Sequence, residues 1–125
     1  MDISRYTQRH EQDVIEAISK DPDWEILTNE TTLVHYRKLL ATSATYVCYE
    51  NNAFCGYVRA ILDTGVAVYV SELYVLERWR NLNIGQSLLQ RVKDDHSNLH
   101  VYAFSDEDAY YIKKGFTKIG SIFEL

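Results

Sequence analysis

One stretch of the chain, residues 71–89 (SELYVLERWRNLNIGQSLL), combines residue types and spacing suited to holding an anion. An apolar strand pattern runs into a loop carrying Arg80, Asn81, Asn83 and Gly85, and an amphipathic helix pattern starts at once with Ile84, Leu88, Leu89 and Val92. A junction of this kind binds phosphate with little formal charge. The first amides of the helix have no intrahelical acceptor, the helix dipole favours an anion there, and successive loop amides add to both. Asn and Gly are the residue types that tolerate left-handed backbone and close approach of a ligand. Arg80 adds a guanidinium, and residues 77–93 set Arg78, Arg80, Arg91 and Lys93 against Glu77 alone.

The flanking patterns define what must position this loop. Residues 2–7 (DISRYT) read as a short strand. Val14, Ile15 and Ile18 share one helical face in residues 10–20, and Asp21-Pro22 ends that helix. Thr31 or Thr32 caps a second helix to about Thr42, with Leu33, Tyr36 and Leu40 inward. Strand patterns at 45–50, 54–62 and 66–76 are separated by Asn51-Asn52 and by Asp63-Thr64-Gly65, which predicts an antiparallel meander. The third of these is apolar on both faces, as a covered central strand is. A helix over 84–95, a strand over 99–104, a helix over 106–114 stopped by Gly115, and a final strand in the tail FTKIGSIFEL complete the order β-α-α-β-β-β-α-β-α-β. The expectation is one α/β domain over residues 1–125, with a mixed, mostly antiparallel sheet flanked by helices.

Composition narrows the function classes. The 125 residues are 46% hydrophobic and 25% charged, enough to bury a core. No apolar run approaches the ~20 residues of a membrane span, and the N-terminus lacks the apolar region of an export signal. These features predict a soluble cytoplasmic domain that does not engage membranes. The net charge of −5 argues against sequence-independent nucleic-acid binding. Residues 1–30 hold three basic residues against eight acidic ones, so the acidity is concentrated there. Cys48 and Cys55 have no neighbours to complete a metal site. A two-residue turn at Asn51-Asn52 would set them opposite each other. In a reducing compartment they read as two small buried hydrophobes rather than a disulfide.

Arg80-Asn81-Leu82-Asn83-Ile84-Gly85 resembles the Arg/Gln-x-x-Gly-x-Gly/Ala signature of the GNAT superfamily, the acetyl-CoA-dependent N-acetyltransferases. Leu73-Tyr74-Val75 stands where that family has Leu-x-Val. Leu99-x-Val101 and Tyr110-Tyr111-Ile112-Lys113-Lys114-Gly115-Phe116 resemble its later strand and helix end. The motifs span residues 45–118. The resemblance implies a GNAT-like fold with acetyl-CoA as cosubstrate. It makes the backbones of Leu73, Tyr74 and Val75 pantetheine contacts, and Arg80, Asn81, Leu82, Asn83, Ile84, Gly85 and Gln86 the pyrophosphate cradle. Ser105 is the nearest match to a polar residue preceding the late helix, and Tyr111 matches the tyrosine that protonates the departing thiolate.

The implied reaction is direct attack of a primary amine, from a small molecule or a peptide, on the acetyl thioester. The family often places a base at the positions of Ser71 and Tyr69, neither of which is a good base. Glu72 is the closest carboxylate, although strict strand alternation points it to the other face unless the strand bulges. Three positions depart from the family pattern. Asn83 replaces the first glycine, the segment from Ser105 to Gly115 is one residue short, and ten residues after Gly115 leave little room for a terminal strand pair. The rival readings are a non-catalytic acyl-CoA-binding module and an interaction domain without this ligand. The acidic first thirty residues favour a cationic acceptor. A monomer and a homodimer are both compatible with the sequence.

Overall fold

The apolar alternation of residues 44–75 becomes three adjacent strands of one five-stranded sheet in a computed structural model describing residues 1–125. The strands are β1 (Asp2–Arg5), β2 (Ala44–Glu50), β3 (Ala53–Asp63), β4 (Ala67–Val75) and β5 (His100–Ala103), and they lie side by side in chain order. Neighbours are antiparallel except β4 and β5, which are parallel because a helical crossover joins them. The helices are α1 (Glu11–Ser19), the single turn α2 (Glu25–Thr28), α3 (Glu30–Thr42), α4 (Ile84–Asp95) and α5 (Asp108–Lys113). No helix is long and apolar enough to cross a membrane.

Two apolar layers cover the sheet. On one face Ile84, Leu88, Leu89 and Val92 of α4 bury Tyr46, Val58, Val68 and Val70. On the other, Val14, Ile15 and Ile18 of α1 and Tyr36 and Leu40 of α3 bury Val47, Tyr57 and Tyr74. A central sheet covered on both faces explains the lack of polar alternation in β4.

The predicted element order holds through α5 apart from the added single turn α2 between the first two helices, with further local differences. Asn29, rather than Thr31 or Thr32, caps α3: its side-chain oxygen accepts from the Thr32 amide at 3.0 Å. Asn is the better cap and comes earlier in the chain. The Asn51-Asn52 turn forms, with φ of 48° and 67°. A bulge follows it, so that Cys48 faces Gly56 and not Cys55. Both cysteines are buried and free. The tail is the larger difference, because residues 116–125 contain no strand. Gly115 turns the chain at φ 88°, and the Phe116 amide is held by the Tyr111 carbonyl. The tail then stands off β5 across a groove of about 680 Å³, so its amides have no strand to pair with.

Candidate active site

Strand β4 changes character at Ser71. Upstream, Val68 and Val70 point into the α4 layer. In the pairing with β3, Val70 lies opposite Ala60 while Glu72 lies opposite Arg59, which leaves Ser71 as the extra residue of a bulge. The bulge inverts the alternation. Leu73 and Val75 now pack on the α4 side, and Glu72 and Tyr74 turn toward α1 and α3.

The same point ends the pairing of β4 with β5. The register runs from Ala67 opposite His100 to Val70 opposite Ala103, and the Phe104 amide donating to the Val70 carbonyl closes it. Beyond Val70 the two strands separate. The Leu76 amide donates to the Cys55 carbonyl at 2.9 Å. Antiparallel alternation therefore turns the amides and carbonyls of Leu73 and Val75 away from β3, into the opening between β4 and β5. Gly56 permits the close approach of β3 here, because a side chain on it would collide with the Tyr74 carbonyl.

The loop at the end of β4 is built on two left-handed asparagines, Asn81 (φ 64°) and Asn83 (φ 61°). Asn83 is the N-cap of α4, yet its side chain does not cap. The first amides of α4 therefore have no partner from the cap, and no acidic residue occupies the first turn. Arg80 folds back so that Nε donates to the Val75 carbonyl at 2.8 Å, which fixes the loop against the strand it leaves. Leu82 is exposed, Ile84 and Gly85 are buried, and Gln86 lies on the open side of the helix. Leu73, Val75 and the residues from Arg80 to Gln86 thus meet at one end of the opening. Tyr74, expected to offer its backbone there, instead turns its amide and carbonyl toward β3 by the same alternation, and its ring packs edge-on against Trp24, with centroids 4.9 Å apart.

Helix α5 forms the facing wall. A methyl group on Gly85 would lie 2.6 Å from the Tyr110 hydroxyl and 3.5 Å from Leu73 Cδ2, so Tyr110 fills the space that this glycine leaves. Tyr111 is turned deeper, packing on the α4 layer and against Phe116. Burial pushes the Tyr111 phenol up to about 12 and raises Tyr110 as well. Ser105 lies on the loop after β5, where its hydroxyl accepts from the Glu107 amide at 3.1 Å. Its visible role is local to the start of α5.

Glu72 sits in a polar network that the sequence does not reveal. Arg59 grips it with two bonds, Nε to Oε1 at 2.6 Å and Nη2 to Oε2 at 2.9 Å. The Tyr36 hydroxyl donates to Oε1 at 2.6 Å and lies 2.7 Å from the Tyr57 hydroxyl. Burial, first of all, pushes both phenols far above the ordinary tyrosine value. Arg59 also reaches the hydroxyls of Ser43 and Ser71. The signals of this network in the sequence are two charges, Arg59 and Glu72, each inside an apolar strand pattern. Of the acidic residues in the N-terminal segment, Glu11 pairs with Arg37, Glu16 with Lys20, and Asp13 accepts from Tyr49.

Comparison with known proteins follows the same lines. A family model described as an acetyltransferase (GNAT) domain matches residues 41–118. An aminoglycoside N-acetyltransferase solved in complex with CoA superposes with a TM-score of 0.77 at 15% identity, over 99% of this chain and 92% of that one. A ribosomal-protein-alanine N-acetyltransferase from Brucella melitensis biovar Abortus 2308 gives 0.77 at 14% identity, over 100% and 99%. A predicted acetyltransferase from Clostridium acetobutylicum, solved with acetyl-CoA, gives 0.71 at 16% identity, over 99% and 94%. At such identities these three show the shared fold. No curated protein sequence matches the chain.

Proposed function

The chain belongs to the GNAT acetyltransferase family, and from that premise we propose that it transfers an acetyl group from acetyl-CoA to a primary amine by direct attack. The observation that carries this reading is the opening of β4 from β5 beside the left-handed Asn81 and Asn83 loop and the uncapped start of α4. Residues of that shape fit the donor. The Leu73 backbone and the Val75 amide are free to pair with an amide-bearing arm, while the amides after Asn83, helped by Arg80, suit its diphosphate. CoA in the aminoglycoside enzyme and acetyl-CoA in the clostridial protein support the same choice of cosubstrate.

In this account the chain's residues do three things. Backbone donors at the Ser71 bulge stabilise the oxyanion formed as the amine adds to the thioester carbonyl. The Tyr111 hydroxyl, kept protonated by burial, gives its proton to the departing thiolate. Glu72 is the carboxylate on the acceptor side of β4, brought there by the bulge. Its oxygens are already taken by Arg59 and Tyr36, so it acts by holding the bulge and the local field unless that network opens. The acceptor class is a primary amine, with the acidic N-terminal segment favouring a cationic one.

That occupied carboxylate favours one second reading, a module that binds acyl-CoA without turning it over. Thiol release from acetyl-CoA, followed across a panel of polyamines, aminoglycosides and peptides with free α- or ε-amines, separates the two. Amine-dependent release supports transfer; donor binding with no release above the hydrolysis background supports the module.

A further inference from the structure

Lys114, in the last turn before Gly115, does not resemble the other lysines of the late chain. Its Nζ donates to Asn83 Oδ1 at 3.1 Å, across 31 residues of sequence, and it has no carboxylate partner. Asn83 is the N-cap whose side chain leaves the α4 amides uncapped. The ammonium therefore stands beside the N-cap residue of α4, while Arg80 Nε is committed to the Val75 carbonyl. Its placement is enforced from below. The Tyr110 hydroxyl is seated on Gly85, and Lys114 Nζ lies 5.9 Å from the centroid of the Tyr110 ring. Tyr110 and Lys114 are one helical turn apart at the end of α5, so the packing of one aims the other.

We propose that Lys114 is a donor-binding residue: it exchanges its bond to Asn83 for the diphosphate of the acyl donor and supplies a second cation to the cradle beside Arg80. This rests on the acetyl-CoA reading above and adds a residue to it from the end of α5. An ammonium bonded to one neutral amide oxygen gains a charge-assisted bond when an anion arrives, whereas one already in an ion pair would gain little. With Asn83 in place of glycine in the loop, the lysine also gives that side chain a role, as the holder of the cation in the free protein.

The test compares the wild type with Lys114→Met and Lys114→Arg by calorimetric titration with CoA, 3′-dephospho-CoA and pantetheine. Lys114 is only half-buried and lies outside both apolar layers, so neither variant disturbs the core. The expected result is about tenfold weaker binding of CoA and of 3′-dephospho-CoA by Lys114→Met, typical of a lost charge-assisted contact. Pantetheine affinity should be unchanged, and Lys114→Arg should restore most of the loss. Equal CoA affinity in wild type and Lys114→Met overturns the assignment. So does a loss confined to CoA, since that places the contact at the 3′-phosphate. If the wild type itself binds none of the three ligands, the donor reading fails and the Lys114 assignment falls with it.

Discussion

Arg59 lies opposite Glu72 across β3 and β4, holding both carboxylate oxygens at 2.6 and 2.9 Å, while the same guanidinium reaches the hydroxyl of Ser71. One side chain thus grips both residues at which β4 bulges, inverts its alternation and leaves β5. The pair is almost fully buried, with 8% and 9% of the two side chains exposed. The opening that suits an acyl donor is therefore anchored from the opposite face of the sheet.

Breaking that pair by removing one partner should be costly. Arg59→Met leaves Glu72 buried without its cation and is expected to lower unfolding free energy by ~3–5 kcal/mol, while the double variant Arg59→Met, Glu72→Leu loses much less. Urea denaturation of both checks this. A single variant as stable as the wild type would remove the pair from the account of the bulge.

The left-handed cap gives a second test. Asn83→Val places a β-branched side chain at φ 61°, a strain on the order of 1–3 kcal/mol that should distort the loop and weaken CoA binding. Asn83→Gly removes the strain and, through loss of the Lys114 partner, tests the two roles of Asn83 separately. Calorimetric CoA affinities for the pair report the outcome, and an unchanged affinity in Asn83→Val would contradict the cradle.

For Tyr111 the expectation concerns rate rather than affinity. Tyr111→Phe should lower kcat by ~10²-fold or more while leaving acetyl-CoA affinity nearly intact. Because burial holds the phenol up to about 12, kcat of the wild type should show no downturn from loss of this acid before pH 10. An undiminished kcat in Tyr111→Phe removes it as the proton donor.

Stability should fall on the alkaline side. Burial raises the folded values of Tyr111 and Cys48 to about 12, against ordinary values of 10.0 and 9.0, and raises Tyr36 and Tyr57 as well. Each group keeps its proton longer in the folded chain, so its contribution is complete below the unfolded value and is lost as pH rises through the folded one. Unfolding free energy followed by urea titration should hold steady up to about pH 9 and then decline toward pH 12, with a slope of ~1.4 kcal/mol per pH unit for each proton lost first from the unfolded state. A flat profile to pH 11 would show that these groups are not buried as described.

Features written locally are legible in the amino-acid sequence itself. The apolar period of residues 84–95 and the asparagines before it locate α4 and its loop, and Gly115 ends α5 at a positive φ as its type suggests. What depends on partners across the fold is not legible. The Ser71 bulge is bonded to Arg59 of the neighbouring strand, and the hairpin bulge that moves Cys48 opposite Gly56 lies in the pairing of β2 with β3, beyond the two turn residues. The tail has the apolar content of a strand, but strand formation needs an edge within hydrogen-bonding reach, and the groove beside β5 separates the two. Tyr110 and Lys114 are hidden by a motif that draws attention to Tyr111, since only the packing of α5 on α4 tells the neighbours apart.

Thermal unfolding with and without saturating acetyl-CoA, at pH 7 and fixed protein concentration, tests the donor site directly. At about 100 times Kd a specific ligand adds ~2.7 kcal/mol, which raises Tm by several degrees in a domain of this size. Acetyl-CoA should give that shift, and ADP, which carries a diphosphate but no pantetheine arm, should not. No shift at saturating acetyl-CoA, or an equal shift with ADP, would contradict a donor site built from the opened strand and the asparagine loop together.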